Sequence, residues 1–189
     1  MSTDSNPGRG EVDLGLEVDE RLHAADLTED PRLDSEALCL CAVLWSTPVS
    51  ARTVVELLVA EDFDRPAHRD LLELVREQLQ QGRPHDPASI AAVLTRRGTG
   101  HHGSLVARAL ADATAAGAAP ESAGHHAVHV VAAAYRRSFH AAAAGLAQAA
   151  EQLGEHELFP HLVHLGRAQR AATERLQHVT TALDTSHTH

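Results

Sequence analysis

Fifteen histidines stand among 189 residues, and their spacing is the first feature of the chain that could do chemistry. His125 and His129 lie four apart, which on a helix sets two imidazoles on one face at a spacing that can chelate zinc. His161 and His164, three apart further along, could complete a four-nitrogen site if the two segments packed side by side. His101, His102, His187 and His189 add four more rings. No His-Glu-x-x-His occurs, so nothing marks a zinc hydrolase. The same rings also read as surface residues standing where Lys or Gln is usual. No residue is assigned as a metal ligand, and a His-rich metal- or pH-responsive regulator stays as the second reading.

The other chemistries are sparser. All 16 basic residues are Arg, and Lys is absent. A Walker A loop needs a Lys ammonium on the β- and γ-phosphates, so these 189 residues cannot build that ATP site. His68 reads as a packed histidine bonded to nearby backbone, with no acid or nucleophile partner in view for catalysis. Asp86 reads as a helix cap, and Arg136 and Arg137 as a solvated face or salt bridge rather than a phosphate contact. Cys39 and Cys41, at i and i+2 of an expected helix, point about 200° apart and cannot share a metal or close a disulfide. They read as small buried residues of a reducing compartment. No catalytic residue and no cofactor is assigned.

Charge narrows the partners. The net charge is −10. Residues 1–30 hold nine acids against two Arg, and residues 31–189 hold 17 against 14, leaving −7 and −3. Tight nucleic-acid binding draws on cations that displace counterions from phosphates, and little surplus is on offer here. Direct nucleic-acid binding is therefore expected to be weak. No stretch approaches 18 apolar residues and the acidic start is unlike a signal peptide, so a cytoplasmic protein without membrane contact is expected.

The elements that must position these residues are helices. Hydrophobic residues make up 43% and aromatics 3%, so the core must be Leu, Val and Ala, a composition that favours helix over sheet. Residues 1–30 read as an acidic disordered tail with a weak helical turn between 12 and 27, ended by Pro31. Asp34 caps a helix over 35–46, and Ser50 one over 51–60. Glu61, Asp62, Phe63 and Asp64 form a loop whose Phe63 plugs the core. A third helix runs from Pro66 to Gly82, and a fourth follows Asp86 and Pro87 and stops at Gly98. A fifth spans 104–116. From Glu121 an Ala-rich run reaches Leu153, and after Gly154 another covers 157–183, which together read as an antiparallel hairpin.

Three ordered segments carry a family likeness. Ser35, Glu36, Leu40, Cys41 and Leu44 are similar to an opening helix of pattern AE-x-x-x-LG-x-x-L, with Ser35 for Ala and Cys41 for Gly. Glu61, Asp62, Phe63, Asp64, His68 and Arg69 resemble EDFY-x-x-x-HR, with Asp64 for the aromatic. Gly82, Pro84, His85 and Asp86 resemble G-x-PID, with His85 for Ile. His126, Ala127 and Val130, with Arg136 and Arg137 beyond, echo a later YA-x-x-V stretch. The chain thus resembles, over residues 31–150, the N-terminal non-catalytic domain of the DnaB family of replicative helicases.

That resemblance implies an all-α fold with a compact multi-helix head followed by a long antiparallel hairpin. The expected divisions are a tail over 1–30, a head over 31–119, an arm over 120–183 and a disordered end over 184–189. The fold-signature residues are Glu36, Leu40, Asp62, Phe63, His68, Arg69, Gly82 and Asp86. The implied role is in DNA replication at the primosome, by self-association as a homodimer or higher oligomer and by binding a helicase or primase, without enzymatic activity. The chain ends where a motor domain would begin, and a fragment of a full DNA helicase would carry the same motifs. Small residues along the first arm helix put the association face at Ala141, Ala144 and Gly145. Val130, Val131, Leu146 and Leu153, with Leu158, Leu162 and Leu165, are expected to fill the seam inside the hairpin.

Overall fold

The computed structural model describes residues 30, 32–98 and 100–186, without the side chains of 101, 102, 185 and 186. The chain divides into Met1–Asp30 and Pro31–His189. Residues 1–29 of the expected tail, Pro31, Thr99 and residues 187–189 lie outside the described residues. The architecture is all-α, and no strand occurs among the described residues.

Helix α1 covers Ser35–Trp45. Asp34 starts it, its Oδ1 accepting the Glu36 amide at 2.9 Å. Eight of its 11 residues are buried, Glu36 among them, because it lacks a polar face and must be wrapped on all sides. Helix α2, Pro48–Leu57, begins three residues earlier than the Ser50 cap implies. Thr47 Oγ1 accepts the Ser50 amide at 3.3 Å, and Pro48 sits in the first turn, where its missing N–H leaves nothing unpaired. A 3₁₀ turn at Ala60–Asp62 leads into the loop before α3, Pro66–Gln80.

Helix α3 ends in a Schellman motif, with the Arg83 amide on Gln78 O at 2.8 Å and the Gly82 amide on Leu79 O at 3.1 Å. Gly82 takes φ +64°, where a Cβ would be strained. Asp86 caps α4, Pro87–Arg97, with Oδ1 accepting the Ala88 and Ser89 amides at 3.1 Å each. Helix α5 covers His101–Ala115, three residues earlier than its expected start. Two arginines clamp α2 and α3 reciprocally. Arg76 Nη2 donates to Val55 O and Leu58 O, and Arg52 Nη2 to Leu79 O, so each cation sits on the other helix's carbonyl end.

A 3₁₀ turn at Pro120–Ser122 opens the hairpin of α6, Ala123–Gln152, and α7, Glu155–Ser186. Helix α7 therefore runs on to Ser186, three residues into the end that was expected to be disordered over 184–189. The base of the hairpin belongs to the head's core: Ala123, Ala127, Val130 and Val131 of α6 and Val179 and Leu183 of α7 bury with Leu40, Val43, Phe63, Leu71 and Ile90. Beyond that base, Ala149 is the one residue of α6 from 132 on that is buried. Head and arm thus share one core at their junction, which a boundary at 119/120 does not convey.

Both cysteines are buried and free. Burial, then the charges of Glu36 and Asp62, push the Cys39 thiol up to about 12, so it stays an inert core residue.

Candidate functional site

The loop over residues 61–65 is where the chain concentrates its buried charge. Helix α1 brings Glu36 and α3 brings His68, whose Nδ1 lies 2.8 Å from Glu36 Oε2 with side-chain exposures of 7% and 2%. A carboxylate only accepts, so His68 Nδ1 carries the proton of that bond. Glu36 also accepts the Asp64 amide at 2.5 Å and the Arg65 amide at 3.4 Å. Burial alone would raise its pKa. The His68 bond, the Asp64 amide, the His68 charge and the Arg65 amide outweigh burial and hold it below the ordinary 4.5.

Asp62 is held differently. Its Oδ2 accepts the Val59 amide at 2.7 Å and pairs with Arg175 Nη2 of α7 at 2.7 Å. Burial still dominates, so its pKa is raised despite the ion pair, the Val59 amide and Arg175 opposing and Glu61 reinforcing the rise. Arg137 of α6 donates to Asp62 O at 2.5 Å and lies 3.7 Å from Asp64 Oδ1 and 3.9 Å from Glu36 Oε1. Arg69 completes the clamp, with Nε on Phe63 O at 2.6 Å and Nη2 on Asp64 O at 3.0 Å. Phe63, fully buried, plugs the core between these bonds.

The loop is a structural lock that ties α1, α3, α6 and α7 together. His68 is packed as expected, but its partner is the Glu36 carboxylate rather than backbone. The pair is chemically an acid–base dyad, yet 2% exposure leaves no face for a substrate. Arg137 makes salt bridges, as one of its two expected readings holds, while Arg136 is exposed. Arg175 is the member that sequence reasoning missed. It lies 113 residues from Asp62, and nothing in its local sequence marks it.

The remaining signature residues are placed in the frame of the head. Leu40 is fully buried in α1, Gly82 terminates α3 and Asp86 caps α4. His85 is 4% exposed, and its Nε2 has no hydrogen-bond partner among the described residues.

The hairpin's register is set by polar pairs. Tyr135 Oη meets Thr173 Oγ1 at 3.2 Å and Ser138 Oγ meets Gln169 Oε1 at 3.0 Å. In that register His161 faces the stretch near residue 146, roughly 30 Å along the helix from His125 at 1.5 Å per residue. The four-nitrogen site across the hairpin therefore does not form, and no group of three or more His, Cys, Asp or Glu is placed to hold a metal among the described residues.

The arm exposes several of the large apolar side chains expected in its seam, whereas Leu158 and Leu165 are half-buried. Leu146, Leu153 and Leu162 are 38%, 36% and 46% exposed, joined by Phe139 at 47% and Phe159 at 72%. Val130 and Val131 do bury, but in the head's core. Phe139 and Leu146 are seven apart and stay within about 20° on one flank of α6, and Leu153, seven further on, is its C-cap. Ala141 and Ala144 are exposed and lie roughly 140–160° round the helix from Phe139, while Gly145 is half-buried with open space where a Cβ would stand.

An apolar groove of about 760 Å³ runs between α4 and α5, lined by Ala91, Leu94, Ala107 and Leu110 with the hydroxyls of Thr95, Ser104 and Thr114. Among the described residues its walls hold no carboxylate, imidazole or thiol with which to run acid–base or nucleophilic chemistry.

The lock joins two of the three sequence segments, and the third ends α3 and caps α4. Residues 29–131 match the family model described as the DnaB-like helicase N terminal domain. The chain belongs to that family. Its structure is similar to the crystal structure of the N-terminal domain of DnaB helicase from Mycobacterium tuberculosis, with a TM-score of 0.54 and 25% identity, over 78% of this chain and 94% of that one. A likeness over 78% of the chain exceeds the span of the family match and so reaches into the hairpin. No curated protein sequence matches the chain. The family match spans α1 to α5 and the start of α6, and this domain type carries no ATPase motor. No helix among the described residues is long and apolar enough to cross a membrane.

Proposed function

We propose that this DnaB-like domain works in DNA replication as a non-catalytic association module in the cytoplasm, pairing with a second copy through its hairpin and binding a replicative helicase or primase. The observation that supports the reading is the exposure of Phe139, Leu146 and Leu153 along one helix and of Phe159 and Leu162 on the other. Isolated exposed apolar residues are ordinary, but five on one arm mark a surface that another chain covers. Helical neighbours fit such a flank, because a seven-residue repeat presents one stripe to a partner helix. The small residues Ala141, Ala144 and Gly145 allow close approach on the far side of the same helix, about 120–160° from Phe139. The site holds no group for chemistry, and the 189 residues hold no Lys for a phosphate loop.

Immobilised full-length chain should retain the replicative helicase or the primase from its native host's lysate, and Phe159→Asp should lose that retention. Neither protein on the support, with the chain folded by circular dichroism, would remove this reading.

A further inference from the structure

His125 and His129 stand on the exposed face of α6 with their Nε2 atoms 3.1 Å apart and ring centroids 4.5 Å apart. Two nitrogens bound to one zinc at 2.0–2.1 Å are separated by about 3.3 Å in a tetrahedron, and by about 2.9 Å at right angles. The observed separation falls between those two edges. We propose that His125 and His129 form a two-nitrogen site for a borderline divalent transition cation such as zinc, nickel or copper.

The frame beneath the pair is fixed. Ala127 and Val130, on the opposite side of the same turns, are fully buried against the head, so the backbone that spaces the two rings has little freedom. Only rotamers remain to be set, and the rings already converge. In the empty site one Nε2–H donates to the other nitrogen. On metal binding both Nε2 lone pairs face the cation, each ring keeps its proton on Nδ1, and no net proton is released from neutral rings. His126 stands beside them, with its ring centroid 5.5 Å from that of His125. Imidazole suits zinc, nickel and copper, whereas magnesium and calcium want oxygen. Two protein nitrogens leave the other positions to water, so this is an open site rather than a closed structural one.

Nickel chloride is the probe, titrated into the full chain with ¹⁵N-labelled histidine rings at pH 7.5. The ring signals of His125 and His129 should broaden before that of His140, an exposed single histidine of the same helix. In His129→Ala, broadening of His125 should need about tenfold more nickel. His129→Gln, which keeps a polar side chain there, should behave the same way, with both variants helical by circular dichroism. Broadening of His125 and His129 together with or after His140, or a His125 response unchanged in either variant, overturns the proposal.

Discussion

Glu36 and His68, 32 residues apart in sequence, face each other at 2.8 Å in the buried junction of α1, α3 and the 61–65 loop. Removing His68 leaves the buried Glu36 carboxylate short of a hydrogen-bond donor, so His68→Ala should cost about 2–3 kcal/mol. Urea unfolding followed by circular dichroism checks this. A loss below about 1 kcal/mol would mean the pair is a passenger in the core.

The same carboxylate sets a pH dependence. Glu36 has a folded pKa below the unfolded 4.5, so its stabilisation is fully present above pH 4.5 and is lost as the pH falls through the folded value. The stability gap between the wild type and Glu36→Gln should therefore narrow below pH 4.5. A gap that stays constant or widens there has the wrong sign for this account.

Asp62 and Arg175 make the opposite case. Because burial raises the Asp62 pKa, the ionised form costs stability that its partners only partly offset. Arg175→Ala strands the charge and should destabilise by about 3 kcal/mol at pH 7, whereas Asp62→Asn, which keeps an acceptor for the Val59 amide, should cost less. The reverse order would show that Arg175 contributes packing rather than charge.

His85 occupies a buried position with an unpaired ring nitrogen where the resembling pattern has Ile. Replacing an unsatisfied buried polar group with an apolar one of similar size is favourable, so His85→Ile should stabilise by about 1–3 kcal/mol. Thermal and urea midpoints that drop instead would reveal a partner for that nitrogen.

What could be read from the sequence was local. Asp34 and Asp86 cap helices because a carboxylate one residue before a helix meets amides within its own turn, and Gly82 ends one by its φ. Phe63 reads as a core plug because few other large side chains are available to fill the head. The pairings Glu36–His68 and Asp62–Arg175 span 32 and 113 residues, and no periodicity encodes them. The seam is hidden in the sequence for a related reason. On an Ala-rich helix the apolar residues do not define an inward side. The polar pairs Tyr135–Thr173 and Ser138–Gln169 turn α6 so that Leu146 and Leu153 face its flank. Deleting 121–183 would strip Ala127, Val130, Val131 and Val179 from the head's core, so point substitutions at the tip are the cleaner probe.

Residues 31–189 sum to −3, and stacking platforms for bases are scarce with aromatics at 3%. Single-stranded DNA should bind only weakly and lose affinity with added salt. Fluorescence anisotropy with a labelled oligonucleotide at physiological salt checks this, and submicromolar affinity would contradict it.

Association through the hairpin is the central claim, and light scattering across a concentration series on the intact chain tests it most directly. The account predicts a dimer or larger assembly. Leu146→Arg or Phe159→Asp on the apolar flank, and Ala144→Arg on the small face, should shift it towards a folded monomer, the flank variants most strongly. A strict monomer at high concentration, or an assembly untouched by all three substitutions, would contradict the account.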